Sequence, residues 1–173
     1  MLKLTLLNNF VLMQTDSSTG VLTQSYNPQL VLASIFVAIV ASYSALTVAI
    51  EMVNARLSER KLLLGGGAIA MGMGIWSMHF IGMLALSLPV ETGYEVFWTV
   101  ISMFPAIGAS ALAFYLMTSV KINSLTLLLS ATIMGTGIAI MHYLGMAAME
   151  IRGTISYKPL LFILSILVAI GVS

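Results

Sequence analysis

The sequence predicts an all-α, polytopic transmembrane bundle built from repeated helical hairpins. Apolar runs of about 20 or more residues recur along the chain, each long enough to cross a hydrocarbon core about 30 Å thick. Charged residues make up 8% of the 173 positions against 60% hydrophobic ones, and they bunch between those runs. The segment Met78-His79-Phe80-Ile81-Gly82-Met83 returns 63 residues later as Met141-His142-Tyr143-Leu144-Gly145-Met146, identical at four of six places.

Taken in order, residues 1–25 read as a flexible or interfacial lead-in, because the apolar patch Leu2 to Met13 is too short to span and a polar run follows it. Residues 26–173 form the membrane domain. Its first span runs from about Gln29 to Ile50, after Tyr26-Asn27-Pro28, and ends before a short loop holding Arg56, Arg60 and Lys61. The second covers about Leu62 to Leu88 and stops at Pro89, the third about Val96 to Thr118, and the fourth about Leu125 to Met149. A fifth apolar run starts at Pro159 and is still apolar at Ser173.

Lys and Arg number three, none, one and two in the four successive loops, so the side bearing Arg56 and Lys61 carries the excess. The positive-inside rule makes that side cytoplasmic and puts the N-terminus outside. On this orientation Tyr26, Tyr94 and Tyr157 each open an odd-numbered span at headgroup depth, where amphipathic aromatics are favoured. No basic patch interleaved with aromatics points to nucleic acid. The absence of cysteine excludes disulfides, thiolate metal sites and thiol catalysis.

The repeat extends beyond the histidine segments. Tyr26, Pro28, Leu30, Ser34 and Ile35 recur 131 residues later as Tyr157, Pro159, Leu161, Ser165 and Ile166, and a fainter copy at an offset of 68 includes Tyr94, Ser102 and Ala106. The unit is therefore a helical hairpin of about 65 residues, whose odd helix carries the tyrosine and whose even helix carries the histidine. It is used twice and begun a third time. Five spans are visible, and the expectation is that the full protein continues into a third histidine-bearing helix.

Between Met71–Met83 and Met134–Met146, eight of thirteen positions are identical. At about 100° per residue the eight fall on one continuous half of the helix, and Met73, Trp76, Ser77, Phe80 and Ile81 fall on the other. A lipid-facing side tolerates any apolar residue, so the fixed half is expected to face other helices. Its glycines, 72, 74 and 82 with 135, 137 and 145, permit close backbone approach. Among its other members are the only two histidines of the chain, each with a methionine one turn on: His79 with Met83, His142 with Met146. Met78 and Met141 stand beside them as further candidates.

A polar ring inside an apolar run is costly unless paired, and intramembrane ionisable residues mark function by default. Both histidines lie about nine residues from the outer ends of their spans, so parallel helices would bring the two to one depth. Imidazole suits several transition metals, whereas neutral thioether sulfur selects Cu(I), and the fixed face offers neither thiolate nor carboxylate. The candidate metal ligands are His79, Met83, His142 and Met146, then Met78 and Met141, with copper as the matching ion. Met71 and Met134 read as packing residues, and Trp76 and Trp98 carry no special signal.

These segments resemble the signature of the bacterial MHYT domain, a Met-His-Tyr-Thr string followed closely by Gly and Met. The likeness includes Tyr26-Asn27-Pro28, the run Met71 to Phe80 and Ser87-Leu88-Pro89, with Phe80-Ile81 and Tyr143-Leu144 in place of Tyr-Thr. The resemblance implies a bacterial inner-membrane sensory domain of three repeats and about seven helices, proposed to bind copper and to sense oxygen, carbon monoxide or nitric oxide. Such domains join cytoplasmic output modules, among them enzymes of cyclic-di-GMP signalling. Expected partners are the bilayer, a diatomic gas, an output domain and a second copy of the chain, and not nucleic acid. No carboxylate, serine or thiol pairs with a histidine in a catalytic pattern, so the chain reads as a signal-input domain, not an enzyme. The competing readings are a haem protein, a copper transporter, and a scaffold whose histidines only bridge helices.

Overall fold

The computed structural model describes residues 25–87, 92–119 and 123–151, and the helical residues Leu164, Ile166 to Val168, Ile170 and Gly171. The lead-in before Ser25, and Pro89, Glu91, Lys121, Arg152, Tyr157, Lys158 and Pro159, lie outside these.

Helix α1 (Pro28–Asn54) starts where Asn27 accepts the Gln29 amide and Pro28 supplies the fixed φ of a first helical residue. Helix α2 (Leu57–Leu84) follows after two residues. It begins five positions before the expected Leu62, so Glu59, Arg60 and Lys61 belong to a helix and not to a loop. Glu59 Oε2 accepts the Arg56 amide at 3.3 Å there, satisfying a donor the helix start leaves free.

At its other end α2 stops at Leu84, short of the expected Leu88, because the chain turns into a clasp. Strand β1 (Ser25–Tyr26) pairs antiparallel with β2 (Leu86–Ser87), and the Asn27 amide donates to Ala85 O at 2.8 Å. The second hairpin repeats the device. Strand β3 (Thr92–Tyr94) pairs with β4 (Met149–Ile151), and the Glu95 amide donates to Ala148 O at 2.8 Å. Helix α5 (Ser124–Ala147), capped by Asn123 accepting the Thr126 amide, accordingly ends two residues before the expected Met149.

The third span is not one continuous helix. It divides into α3 (Val96–Ile101) and α4 (Met103–Ser119). Pro105 is the cause: it lacks an amide, and its ring clashes with the carbonyl four residues back, that of Ile101. The whole stretch Val96–Thr118 is nevertheless long and apolar enough for one crossing, as are α1, α2 and α5.

Helix α2 packs against both α1 and α4, and α5 packs against α4. Toward the Arg56 end, Met52, Ala68 and Phe114 form one buried cluster; Ala109, Ala113 and Met134 form a second. Met71 packs against both, the gap-filling role expected of it. Leu32, Phe36, Leu46 and Ile50 of α1 point outward.

Candidate functional site: a histidine pair between two spans

His79 precedes the last residue of α2 by five positions and His142 precedes the last residue of α5 by the same five, so each lies about 7.5 Å along its helix from the clasp end. Equal depth becomes contact. His142 Nδ1 lies 3.3 Å from His79 Nε2, with the rings nearly perpendicular and their centroids 4.9 Å apart. One ring donates an N–H and the other accepts, which answers the cost of placing two imidazoles in an apolar layer.

The glycine of each motif makes this approach possible, in two different ways. A Cβ on Gly145 would stand 3.2 Å from Phe80 Cζ and 3.7 Å from His79 Nε2, so the bare backbone of α5 is the slot that receives the rings of α2. A Cβ on Gly82 would stand 3.6 Å from Ser34 Oγ. Ser34, on α1, donates to Met78 O at 2.8 Å and so fixes α2 next to His79. Farther from the clasps, Gly74 meets Ala41 and Gly72 meets the Ile107 backbone.

The methionines divide. Met83 and Met141 are buried, and Met146 is partly covered. Met78 turns toward α1, where with Ala38, Ala41, Ser42, Met71 and Gly74 it lines a cavity of about 70 Å³. Among the described residues no three His, Cys, Asp or Glu side chains gather, so the imidazole pair has no third ligand of those types beside it.

The fixed half of the repeat does face other helices: Met134, Gly135, Gly137, Met141 and Gly145 are all buried. Two residues of the drifting half also turn inward. Phe80 is 7% exposed, with its ring centroid 6.0 Å from that of Tyr94 and 4.8 Å from that of Trp76. Trp76 Nε1 donates to Thr99 O and Ser102 Oγ, each at 3.1 Å. The reading of Trp76 as carrying no signal is thereby corrected. Helix α2 contacts α1, α4 and α5, so little of its circumference near His79 is left for lipid. Periodicity cannot count a helix's neighbours; the one available sign was that the drifting half carries two aromatics, Trp76 and Phe80, one helical turn apart.

The fold and the site together define a polytopic α-helical membrane domain with an imidazole pair bridging two repeated hairpins. The chain belongs to the MHYT family, described as the bacterial signalling protein N terminal repeat, whose model matches residues 17–66, 72–130 and 135–173. It is thus a signal-input domain of the kind found at the N-terminus of bacterial signalling proteins.

It is 49% identical over 149 residues to the bifunctional diguanylate cyclase/cyclic di-GMP phosphodiesterase MucR of Pseudomonas aeruginosa, covering 86% of this chain and 22% of that protein. The cyclic di-GMP phosphodiesterase NbdA of the same organism is 42% identical over 85% of this chain and 19% of its own length. Signaling protein YkoW of Bacillus subtilis is 35% identical over 86% and 18%. The chain therefore spans about a fifth of the length of these relatives. No solved structure matches it.

Proposed function

We propose that this domain receives its signal at a copper ion held by His79 and His142, with Met83 and Met146 as thioether ligands and Met78 and Met141 as reserve donors. The observation that carries the reading is the 3.3 Å separation of His142 Nδ1 and His79 Nε2. Two nitrogens each about 2.0–2.1 Å from a tetrahedral ion stand about 3.3 Å apart, so the spacing suits ligation as well as it suits a hydrogen bond. A donor set of neutral imidazoles and thioethers favours Cu(I), and a monovalent ion adds less charge to a low-dielectric layer than a divalent one.

When bound, copper would supply a redox change or a binding position for a diatomic gas. The chain's own residues do the rest: His79 and His142 join the two hairpins at one depth, and the glycines at 72, 74, 82, 135, 137 and 145 let a small change of helix spacing be felt across the bundle. The orientation read from the Arg56 side puts the pair near the outer face of a bacterial inner membrane. The output then lies on the cytoplasmic side, and the relatives' names make cyclic-di-GMP turnover its first candidate. A haem is the weaker reading. Two axial nitrogens on opposite faces of an iron would stand about 4 Å apart with a macrocycle between them, and the Gly145 slot is already filled by Phe80.

The test is metal analysis of the protein purified with copper under reducing conditions, beside a His79→Ala, His142→Ala double variant. Stoichiometric copper in the first and none in the second is the expected result. No copper in the unaltered protein would leave the pair as a helix bridge.

A further inference from the structure

We propose that Trp76 is a positioning residue that ties the histidine pair to the break in the third span, so that the seating of His79 and the closure of the break at Ser102 change together. Its use in signalling rests on the reading of the pair as the receiving site; its geometry does not.

The break begins with Pro105, which ends α3 at Ile101 and restarts the helix at Met103. Thr99 O, on the α3 side of the break, accepts from two side chains: Ser102 Oγ at 2.7 Å and Trp76 Nε1 at 3.1 Å. The same indole N–H is shared with Ser102 Oγ, and Ser102 is fully buried. The break is thus stitched by an indole that belongs to another helix. Beside it, Thr99 Oγ1 is buried with no partner among the described residues.

From Trp76 the contacts run back to the site within one helical turn. Phe80 lies four residues on, at 4.8 Å between ring centroids, and is hemmed in by Tyr94 and by the bare backbone of Gly145. His79 stands edge-on to Phe80 at 5.8 Å and reaches His142 on its other side. An imidazole that turns on His79 therefore presses on a phenyl ring whose other large neighbours are the indole of Trp76 and the ring of Tyr94.

The linkage occurs at one junction between hairpins and not at the next. A shift of 63 residues, the one that carries the Gly72–Ile107 contact onto Gly135–Ile170, replaces Trp76 by Ala139, Phe80 by Tyr143 and Pro105 by Val168. The tryptophan thus stands against the helix that carries the proline, which sets it apart from packing common to both junctions.

Hydrogen–deuterium exchange, measured by mass spectrometry on the full chain in lipid nanodiscs with no metal added, tests this. The segment followed is 96–106. Trp76→Phe is expected to speed exchange at Ser102 to Phe104 by about five- to ten-fold, the loss of one shared hydrogen bond. Ser102→Ala, which keeps the indole and its bond to Thr99 O but removes the hydroxyl that both share, should also accelerate the same amides and answers the question if Trp76→Phe fails to fold. His142→Ala should speed the same amides when Trp76 is present and add nothing in the Trp76→Phe background. No response to either Trp76→Phe or Ser102→Ala overturns the latch; no response to His142→Ala, or an equal one without Trp76, overturns the coupling. Because no metal enters, the result is independent of whether the pair binds copper.

Discussion

Gly72 and Ile107 are in backbone contact: a Cβ on Gly72 would lie 2.5 Å from Ile107 Cα, and one on Gly135 would lie 2.5 Å from Ile170 Cα. Both pairs join an even helix to the odd helix that follows it, 63 residues apart. The partners within each hairpin repeat too, Gly74 with Ala41 and Gly137 with Ala109. Each histidine-bearing helix is thus gripped on two sides by glycines two residues apart, one for its own hairpin and one for the next.

Gly72→Ala and Gly135→Ala should each therefore destabilise the bundle by about 1–3 kcal/mol, since backbone cannot yield as a flexible side chain would. Gly65 and Gly66 have nothing within 4 Å of an added Cβ. Alanine there should be neutral, or stabilising by about 0.5–1 kcal/mol through a stiffer unfolded chain. Unfolding in mixed micelles would rank the four; equal effects would mean that the approach of α2 to α4 is not as close as described.

Ser34→Ala removes the hydroxyl that donates to Met78 O. Interhelical bonds in membranes average about 0.6 kcal/mol, so the loss should be small in stability. It should be larger in copper affinity if the register of α2 beside His79 matters to ligation. Titration with a Cu(I) chelator would separate the two effects, and an unchanged affinity would reduce Ser34 to ordinary packing.

Within the proposed copper site, His79→Gln or His142→Gln alone should abolish stoichiometric binding, because neither imidazole has a substitute among the described residues. Met83→Leu and Met146→Leu should weaken it by about ten-fold or more while leaving the fold intact, as volume-conserving changes do. Met71→Leu, in the packing clusters, should leave binding alone. If the Met83 and Met71 variants bind copper equally, the thioethers are not ligands.

Tyr94, in β3 outside the spans, has its phenol pushed above its ordinary value by burial against the clasp. The folded state thus holds this proton more tightly than the unfolded one. Stability is unaffected below about pH 10 and falls as pH rises from there through the folded value, as the unfolded chain ionises first. The 295 nm titration of the protein minus that of Tyr94→Phe should show a midpoint above that of free tyrosine. A midpoint at or below it would mean that the ring is solvated.

Much of this was legible in the chain. Apolar runs marked five spans, and four are long apolar helices among the described residues, because lipid allows a spanning backbone little choice but to satisfy itself as a helix. The fixed half-cylinder identified the glycines as contact residues and put both histidines on the buried side at equal depth. The repeat said that these roles were shared between hairpins.

The rest needed the tertiary structure, since it depends on which helix stands next to which. That His79 touches His142, that Gly82 admits Ser34 while Gly145 admits Phe80, and that Met78 looks toward α1 all follow from neighbours that periodicity cannot name. The clasps and the earlier helix ends come from pairing between residues some 60 positions apart. Trp76 shows the division most clearly. Its position on a drifting face was visible in sequence, but near His79 that helix has neighbours on three sides, and only the fold supplied the broken helix that its indole completes.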